Sequence, residues 1–296
     1  MKTLITIFIL HFFVTGFFCN AQNFNTKKTD VQESGLLGKV KLLKQDKFMA
    51  QDKFGEIIQG KRFNGTGQVN LFLTKFDDKG NIVESNLYSE AGALIYKSII
   101  KYNSGNLIEH IHYSANDSLA GKTIAKCDSK RNIIESNSYQ PDGKIVVRSN
   151  FKYDENSNRI EEISEQIDDG IKQRTSNKFD IKGNIIDSKT ESYPKNDSRG
   201  WFCISHETKK YDVKGNNIEI VILDCVNGAM NRKTIQKFDD KGNIIEENNY
   251  NADGRLMYKY IYKFDYDKKG NWIKKIDYKN EVPEYITIRE IEYYIK

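Results

Sequence analysis

Proline is scarce in this 296-residue chain, with three copies, and apolar residues make up only 38% of it. So little proline excludes a proline-rich linker or tail, and the modest apolar share argues against a large α/β enzyme with a rich core. The net charge is only +5, because 46 basic and 41 acidic residues are intermixed. A nucleic-acid interface needs clustered Lys and Arg, so nucleic acid is not an expected partner.

Catalytic signatures are also lacking. The sequence contains no G-x-S-x-G, no P-loop and no zinc-protease pattern. Asp and Glu are abundant but evenly spread, so no acid/base pair stands out. We therefore expect a protein that is not an enzyme and needs no cofactor, with an unrecognised envelope hydrolase as the alternative.

The one long apolar run is at the N-terminus. Lys2 is followed by the apolar run Leu4–Phe18, which is shorter than the roughly 20 residues of a membrane span. We interpret residues 1–21 as a signal peptide cleaved before Gln22, and expect no transmembrane segment after its removal. Lipidation at Cys19 is the alternative. The expected location is periplasmic, outer-surface or secreted.

A repeat dominates the rest of the chain. Each copy has an aromatic residue, Asp, two variable residues, Gly, Asn and an aliphatic pair. The Asn residues that close the turns are 25, 26, 26, 26, 32, 27 and 28 residues apart. Such a period predicts units that bury their apolar surface on their neighbours. The copies begin at Phe76, Tyr102, Cys127, Tyr153, Phe179, Tyr211, Phe238 and Tyr266.

Two turn signals in each copy predict the fold. Asp-x-x-Gly favours a hairpin turn with a left-handed glycine, and a second signal, such as Asn251–Gly254, reverses the chain again. The runs between them have the length of strands, roughly 7 to 11 residues. We predict an all-β antiparallel meander of hairpins, built from ~26-residue repeats and forming a curved sheet or coiling into a solenoid or shell.

One domain is expected, at residues 35–296, after a flexible polar leader at 22–34. Residues 35–75 are interpreted as degenerate repeats that cap the N-terminal end, since a repeat stack needs atypical ends. Regular repeats occupy 76–278. The alternating stretch at 279–296 is expected to close the other end.

The turns resemble the YD repeats of bacterial RHS-type proteins, as in Tyr153-Asp154, Tyr211-Asp212 and Tyr266-Asp267. The likeness covers residues 75–275. Asn, not Arg, follows the turn glycine, and the period is longer than that of the YD unit. The resemblance implies an antiparallel β-repeat architecture and carbohydrate or cell-surface binding, and it implies no catalytic residue.

An aromatic stripe is the main binding candidate. Side chains alternate along a strand, so one face carries five rings, opposite a polar face that includes Lys259 and Lys263. The stripe either stacks on sugar rings or forms core through cross-strand aromatic pairs. An insertion at 193–200, just before Trp201, is a second candidate, or a neutral loop. The five rings are Tyr258, Tyr260, Tyr262, Phe264 and Tyr266.

Metal sites are not expected. The turn Asp residues are interpreted as side-chain caps and not as a calcium site, because calcium needs six to eight converging oxygens. His110 and His112 share a strand face but lack an obvious third ligand, which favours a surface or partly buried pair. The Asp residues concerned are Asp77, Asp128, Asp154, Asp180, Asp212, Asp239 and Asp267.

The remaining cysteines divide into two kinds. Cys127 replaces the aromatic that opens a repeat and is interpreted as a small core residue. Cys203 and Cys225 flank the Asp212–Asn216 turn. A hairpin closed there brings them nearly opposite each other, so a cross-strand disulfide is predicted if the compartment is oxidising.

These observations predict an exported binding or scaffold module for carbohydrate or a cell-surface polymer. The alternative is an envelope protein that docks another protein through a strand edge or the 193–200 insertion.

Overall fold

A computed structural model of the chain describes residues 28–63, 71–89, 91–103, 106–194 and 200–295, so the expected signal peptide lies outside it. The described residues form one short helix, α1 (Asp30–Glu33), and 19 strands. The strands are β1 (Val40–Lys53), β2 (Glu56–Arg62), β3 (Leu71–Phe76), β4 (Ile82–Tyr88), β5 (Leu94–Asn103), β6 (Asn106–Ser114), β7 (Leu119–Cys127), β8 (Ile133–Tyr139), β9 (Ile145–Tyr153), β10 (Arg159–Gln166), β11 (Ile171–Phe179), β12 (Ile185–Tyr193), β13 (Phe202–Tyr211), β14 (Asn217–Leu223), β15 (Met230–Phe238), β16 (Ile244–Tyr250), β17 (Leu256–Tyr266), β18 (Trp272–Lys279) and β19 (Val282–Tyr293).

The sheet is an antiparallel meander that closes on itself. From β3 to β19 each strand pairs with the next one. Strand β1 then pairs with both ends, so that Leu43 lies opposite Thr74 of β3 and Ile291 of β19. Strand β2 stands outside this closed sheet and pairs with the second half of β1. The all-β meander is as predicted.

Closure corrects the expected ends. Residues 35–75 and 279–296 were expected to cap opposite ends of a curved sheet, solenoid or shell, but β1 and β19 pair with each other, so the meander is a closed sheet and not a curved sheet or solenoid. An open edge exposes a row of unpaired N–H and C=O groups, and joining the two edges satisfies both. A hairpin repeat predicts neighbouring strands, whereas closure depends on curvature summed over the whole meander.

The Asp residues cap their turns, as predicted. Oδ1 of Asp180 accepts hydrogen bonds from the N–H groups of Lys182 and Asn184, at 2.8 and 2.9 Å. Oδ2 accepts from the Asn184 side-chain amide at 2.9 Å. Gly183 completes the turn at φ 80°, a left-handed conformation that favours glycine. The same Asp–Asn side-chain bond occurs at Asp77, Asp128, Asp154, Asp212 and Asp239.

The two faces of the sheet differ in chemistry. Directly opposite residues share a face, and the inner face carries small buried residues such as Thr123 and Ser149. On the outer face, Lys and Glu of neighbouring strands form salt bridges near several of the repeat turns. Examples are Lys75–Glu84, Lys101–Glu109, Lys152–Glu161, Lys210–Glu219 and Lys237–Glu246.

Helix α1 covers part of the end of the sheet that carries the Asp turns. Thr29 caps its N-terminus, and Val31 is buried in a cluster with Phe76 and Ile100. Oδ2 of Asp30 accepts the N–H of Ile82 at 2.6 Å. Residues 22–34 were expected to be a flexible leader. The described part of that stretch instead forms a helix, because Val31 supplies an apolar contact and Asp30 a hydrogen-bond acceptor.

Candidate functional site on the inner face

The aromatic stripe of β17 lies on the inner face. Tyr262 is directly opposite Asp277, and Asp277 is directly opposite Tyr285. The rings of Tyr260 and Tyr262 are stacked, with centroids 6.4 Å apart and planes 7° apart. Tyr258 is 42% exposed, while Tyr260 and Tyr262 are half-buried. The rings therefore line the inside of the closed sheet and retain solvent-accessible surface.

Cationic side chains border these rings. Nζ of Lys279 is 4.4 Å from the ring centroid of Tyr258, and Nζ of Lys275 is 5.1 Å from that of Tyr262. Lys275 also pairs with Asp277 at 3.1 Å. Burial raises the pKa of the Tyr262 hydroxyl, so that it stays protonated and can donate a hydrogen bond at neutral pH. The arrangement offers flat apolar surfaces bordered by polar groups.

The lining continues across β18, β19 and β1. The Arg289 guanidinium is 3.4 Å from the ring centroid of Trp272, and burial lowers the pKa of Arg289 to about 10. Nζ of Lys47 is 3.7 Å from the ring centroid of Tyr285. The pKa of Lys47 is also lowered, and burial is the largest cause of this shift. We call the surface formed by Tyr258, Tyr260, Tyr262, Lys275 and Lys279 the aromatic groove.

Four other repeats place a small hydroxyl residue at the equivalent position, whereas Phe72 and Glu207 hold it in two more. Tyr262 precedes its turn Asp by five residues, and the same place is taken by Thr123, Ser149, Thr175 and Thr234. These residues bond across the hairpin, as Ser149 does to Ser164 at 2.7 Å between hydroxyl oxygens. In these four repeats the inner wall is lined by hydroxyl groups, whereas in the aromatic groove it is lined by rings.

The other predicted binding residues, Phe264, Tyr266 and Trp201, lie outside the aromatic groove. The Tyr266 hydroxyl donates to Asp239 at 2.6 Å, and Nζ of Lys241 lies 3.3 Å from its ring centroid, so this ring is held in the turn network. Phe264 contacts Trp272, with centroids 5.8 Å apart. Trp201 is distant in the fold, beside Tyr193 of β12. Of the 193–200 insertion, residues 195–199 lie outside the described residues.

The histidine pair lies inside the sheet. His110 and His112 are 5% and 1% exposed, with ring centroids 4.1 Å apart. Nδ1 of His112 is hydrogen-bonded to the Tyr96 hydroxyl. The pKa of His110 is lowered to about 3, mainly by burial and to a smaller extent by the charge of His112. Burial lowers the pKa of His112 to about 4. Both imidazoles are therefore neutral at pH 7, and the expected surface or partly buried pair is instead a buried one.

A cysteine pair locks one hairpin. Cys203 and Cys225 form a disulfide with Cα atoms 5.5 Å apart, between the regions of β13 and β14. Cys127 is half-buried and its Sγ lies 3.7 Å from the carbonyl oxygen of Leu107. It thus occupies the place where Tyr153, one repeat later, bonds the Ile133 carbonyl.

Two features are absent from the described ranges. They contain no group of three or more His, Cys, Asp or Glu side chains placed to hold a metal ion. No helix in the same ranges is long and apolar enough to cross a membrane.

Several inner-face residues were not predicted. Lys275, Asp277 and Lys279 occupy alternate positions along β18. Their place on the inner face could have been predicted, because a hairpin closed at Asp267–Asn271 places Tyr262 opposite Asp277. The approach of Arg289 to Trp272 could not be predicted in this way, because a register shift after Asp265 places Trp272 opposite Tyr266, and strict alternation along β18 does not predict that shift.

No protein-family model matches the sequence, and no curated protein matches it. Among solved structures, a porin-like protein from Bacteroides uniformis has 9% identity and a TM-score of 0.42, over 86% of this chain and 96% of that one. A porin-like protein from Bacteroides vulgatus has 11% identity and a TM-score of 0.34, over 87% and 99%.

The Tc holotoxin pore of Photorhabdus luminescens has 10% identity and a TM-score of 0.33, over 78% of this chain and 15% of that one. At these identities and TM-scores, none of the three carries an argument about the function of this chain.

Proposed function

We propose that this protein is an exported, non-enzymatic binding module that holds carbohydrate or a cell-surface polymer in the aromatic groove. The observation that carries the proposal is the stacked pair Tyr260 and Tyr262 on the concave inner face, half-buried by neighbours and still accessible to solvent. Sugar rings present apolar C–H faces and a rim of hydroxyls, so they match aromatic faces bordered by charged groups.

The surface charges and the disulfide support an exported protein with a hydrated outer face. Salt bridges such as Lys75–Glu84 and Lys237–Glu246 give the outer face the character of a hydrated surface. The Cys203–Cys225 disulfide fits an oxidising compartment and therefore an exported chain. The resemblance of the turns to YD repeats points in the same direction.

The experiment is isothermal titration with cellohexaose and chitohexaose, comparing the unmodified protein with Tyr260→Ala and Tyr262→Ala. We expect binding that each substitution weakens by about tenfold, since losing a stacked ring costs about 1 kcal/mol or more. Tyr250→Ala is the matched control, because Tyr250 is also a tyrosine beside a lysine, Lys233, but lies on the outer face. Circular dichroism checks folding.

Absence of binding to both oligosaccharides, or equal losses in Tyr250→Ala and Tyr260→Ala, would contradict the proposal. Loss of the folded state in Tyr260→Ala and Tyr262→Ala would instead identify the stripe as core.

Docking of another protein is the second candidate, favoured by one feature. Phe54, at the tip of the β1–β2 hairpin, is fully exposed. In the described part of the chain, β2 is paired with β1 alone, which leaves its other edge for an added strand. Light scattering after size exclusion tests self-docking: a larger assembly that Phe54→Ser reduces to monomer would favour this function.

A further inference from the structure

A small cavity opens on the inner face between β3 and β6. Its apolar walls are Phe72, Leu87 and Ile100, and its polar lining includes Ser85 and His110. The volume is about 60 Å³. One water needs roughly 10–15 Å³ of such space, so the cavity has room for a group of about four non-hydrogen atoms.

Buried polar atoms without a partner converge on this cavity. Within the described residues, Oγ of Ser85 and Nε2 of His110, both in the cavity lining, are buried and make no hydrogen bond; Nε2 of the neighbouring His112 is also unpaired but lies outside the lining. His110 is 5% exposed and lines the cavity directly. Buried polar groups are nearly always hydrogen-bonded, so a cluster of unpaired ones indicates a site for a bound group.

The chemistry of the lining selects the group. A purely apolar group would leave Ser85 and His110 without hydrogen-bond partners, which is unfavourable for buried polar groups. A carboxylate would find no cationic partner in His110, because burial lowers the pKa of His110 and keeps its imidazole neutral. A neutral group with both a methyl and an amide satisfies the apolar walls and the polar atoms, because an amide offers one acceptor and one donor.

The position of the cavity relates it to the aromatic groove. Phe72 precedes its turn Asp by five residues, as Tyr262 does, so the two residues hold equivalent positions in their repeats. Strands β19, β1 and β3 separate β18 from β4, a distance of roughly 20 Å along the wall at about 4.8 Å per strand. An oligosaccharide several sugars long can span this distance.

We propose that this cavity is the acetamido subsite of the groove, and that the polymer bound is an N-acetylated glycan. The methyl lies among Phe72, Leu87 and Ile100, and the amide bonds Ser85 and His110. The inference rests on the proposed function and narrows its substrate class.

The test compares chitohexaose with cellohexaose, which share the linkage and differ in the acetamido group. By titration, the unmodified protein is expected to bind chitohexaose at least tenfold more tightly. Ser85→Ala removes a polar partner, and Thr74→Leu narrows the cavity, which Thr74 also lines. Both variants are expected to lose the preference and keep binding cellohexaose. Ser188→Ala, another half-buried inner-face serine, is the matched control.

Saturation-transfer NMR gives a second readout. The acetyl methyl of bound chitohexaose is expected to receive the strongest transfer in the unmodified protein, and to lose it in Thr74→Leu. Equal affinity for the two oligosaccharides would overturn the acetamido subsite and leave the proposed function standing. Binding of neither would overturn both, and a preference that survives Ser85→Ala and Thr74→Leu would overturn the assignment to this cavity.

Discussion

The Tyr293 hydroxyl donates a hydrogen bond of 2.5 Å to Oδ2 of Asp267, which lies in the preceding turn. The same hydroxyl accepts from the Asn271 side chain at 2.7 Å. Burial opposes ionisation of Asp267, but the bonds from Tyr293 and from backbone N–H groups outweigh it and lower its pKa. Each such tyrosine therefore ties one repeat to the turn before it, as Tyr266 does with Asp239.

We expect Tyr293→Phe to lower the free energy of unfolding by about 1.5–3 kcal/mol, because it removes a hydrogen bond to a charged group. Urea denaturation measures the change. A double-mutant cycle with Asp267→Asn is the control. Additive losses would show that the two side chains are not coupled in this way.

Reduction of the Cys203–Cys225 disulfide is expected to lower stability by about 2–4 kcal/mol, since the bond closes a 22-residue separation and restricts the unfolded chain. Thermal unfolding with and without dithiothreitol measures the loss. The Cys203→Ser/Cys225→Ser variant is expected to unfold at the same low temperature under both conditions. An oxidised protein that is insensitive to the reductant would contradict the prediction.

The buried histidines predict a loss of stability in mild acid. In the unfolded chain their pKa is about 6.5, whereas the folded values are about 3 for His110 and about 4 for His112. The unfolded state therefore binds more protons below pH 6.5. The free energy of unfolding is expected to fall by about 1 kcal/mol per histidine for each pH unit between 6 and 5.

Urea denaturation at pH 7, 6 and 5 checks this slope. Carboxylates whose pKa is lowered, such as Glu84 and Glu191, reduce the free energy of unfolding only at lower pH, because their pKa in the unfolded chain is 4.5. A His110→Gln/His112→Gln variant is expected to have a flatter profile in this range. Identical slopes in the two proteins would exclude the histidines as the cause.

The Asp30 carboxylate anchors α1 to the sheet, since it accepts hydrogen bonds from the Ile82 N–H and the Tyr102 hydroxyl, at 2.6 and 3.1 Å. Asp30→Ala is expected to cost about 1.5–3 kcal/mol. Asp30→Asn keeps one acceptor and should lose less. Hydrogen exchange at the Ile82 amide measures the local effect, and unchanged exchange in Asp30→Ala would rule out the anchor.

How far the sequence predicts this structure depends on how local each feature is. Three features follow from residues within one hairpin. They are the Asp180–Asn184 turn, the shared face of Tyr258 and Tyr262, and the nearness of Cys203 to Cys225. The pairing of Leu43 with Ile291 involves residues almost 250 positions apart, so no local pattern encodes it. The cavity around His110 is built from four strands, and its shape depends on side-chain volumes across three hairpins.

The β1–β19 pairing also sets an order of events. Most strands find their partner as soon as the next turn is made, but β1 must wait for β19, the last of the described strands. Until then two unpaired edges are open to other chains. A chain cut before Val282 would keep both edges, so the final hairpin is the step that turns an aggregation-prone ribbon into a closed molecule.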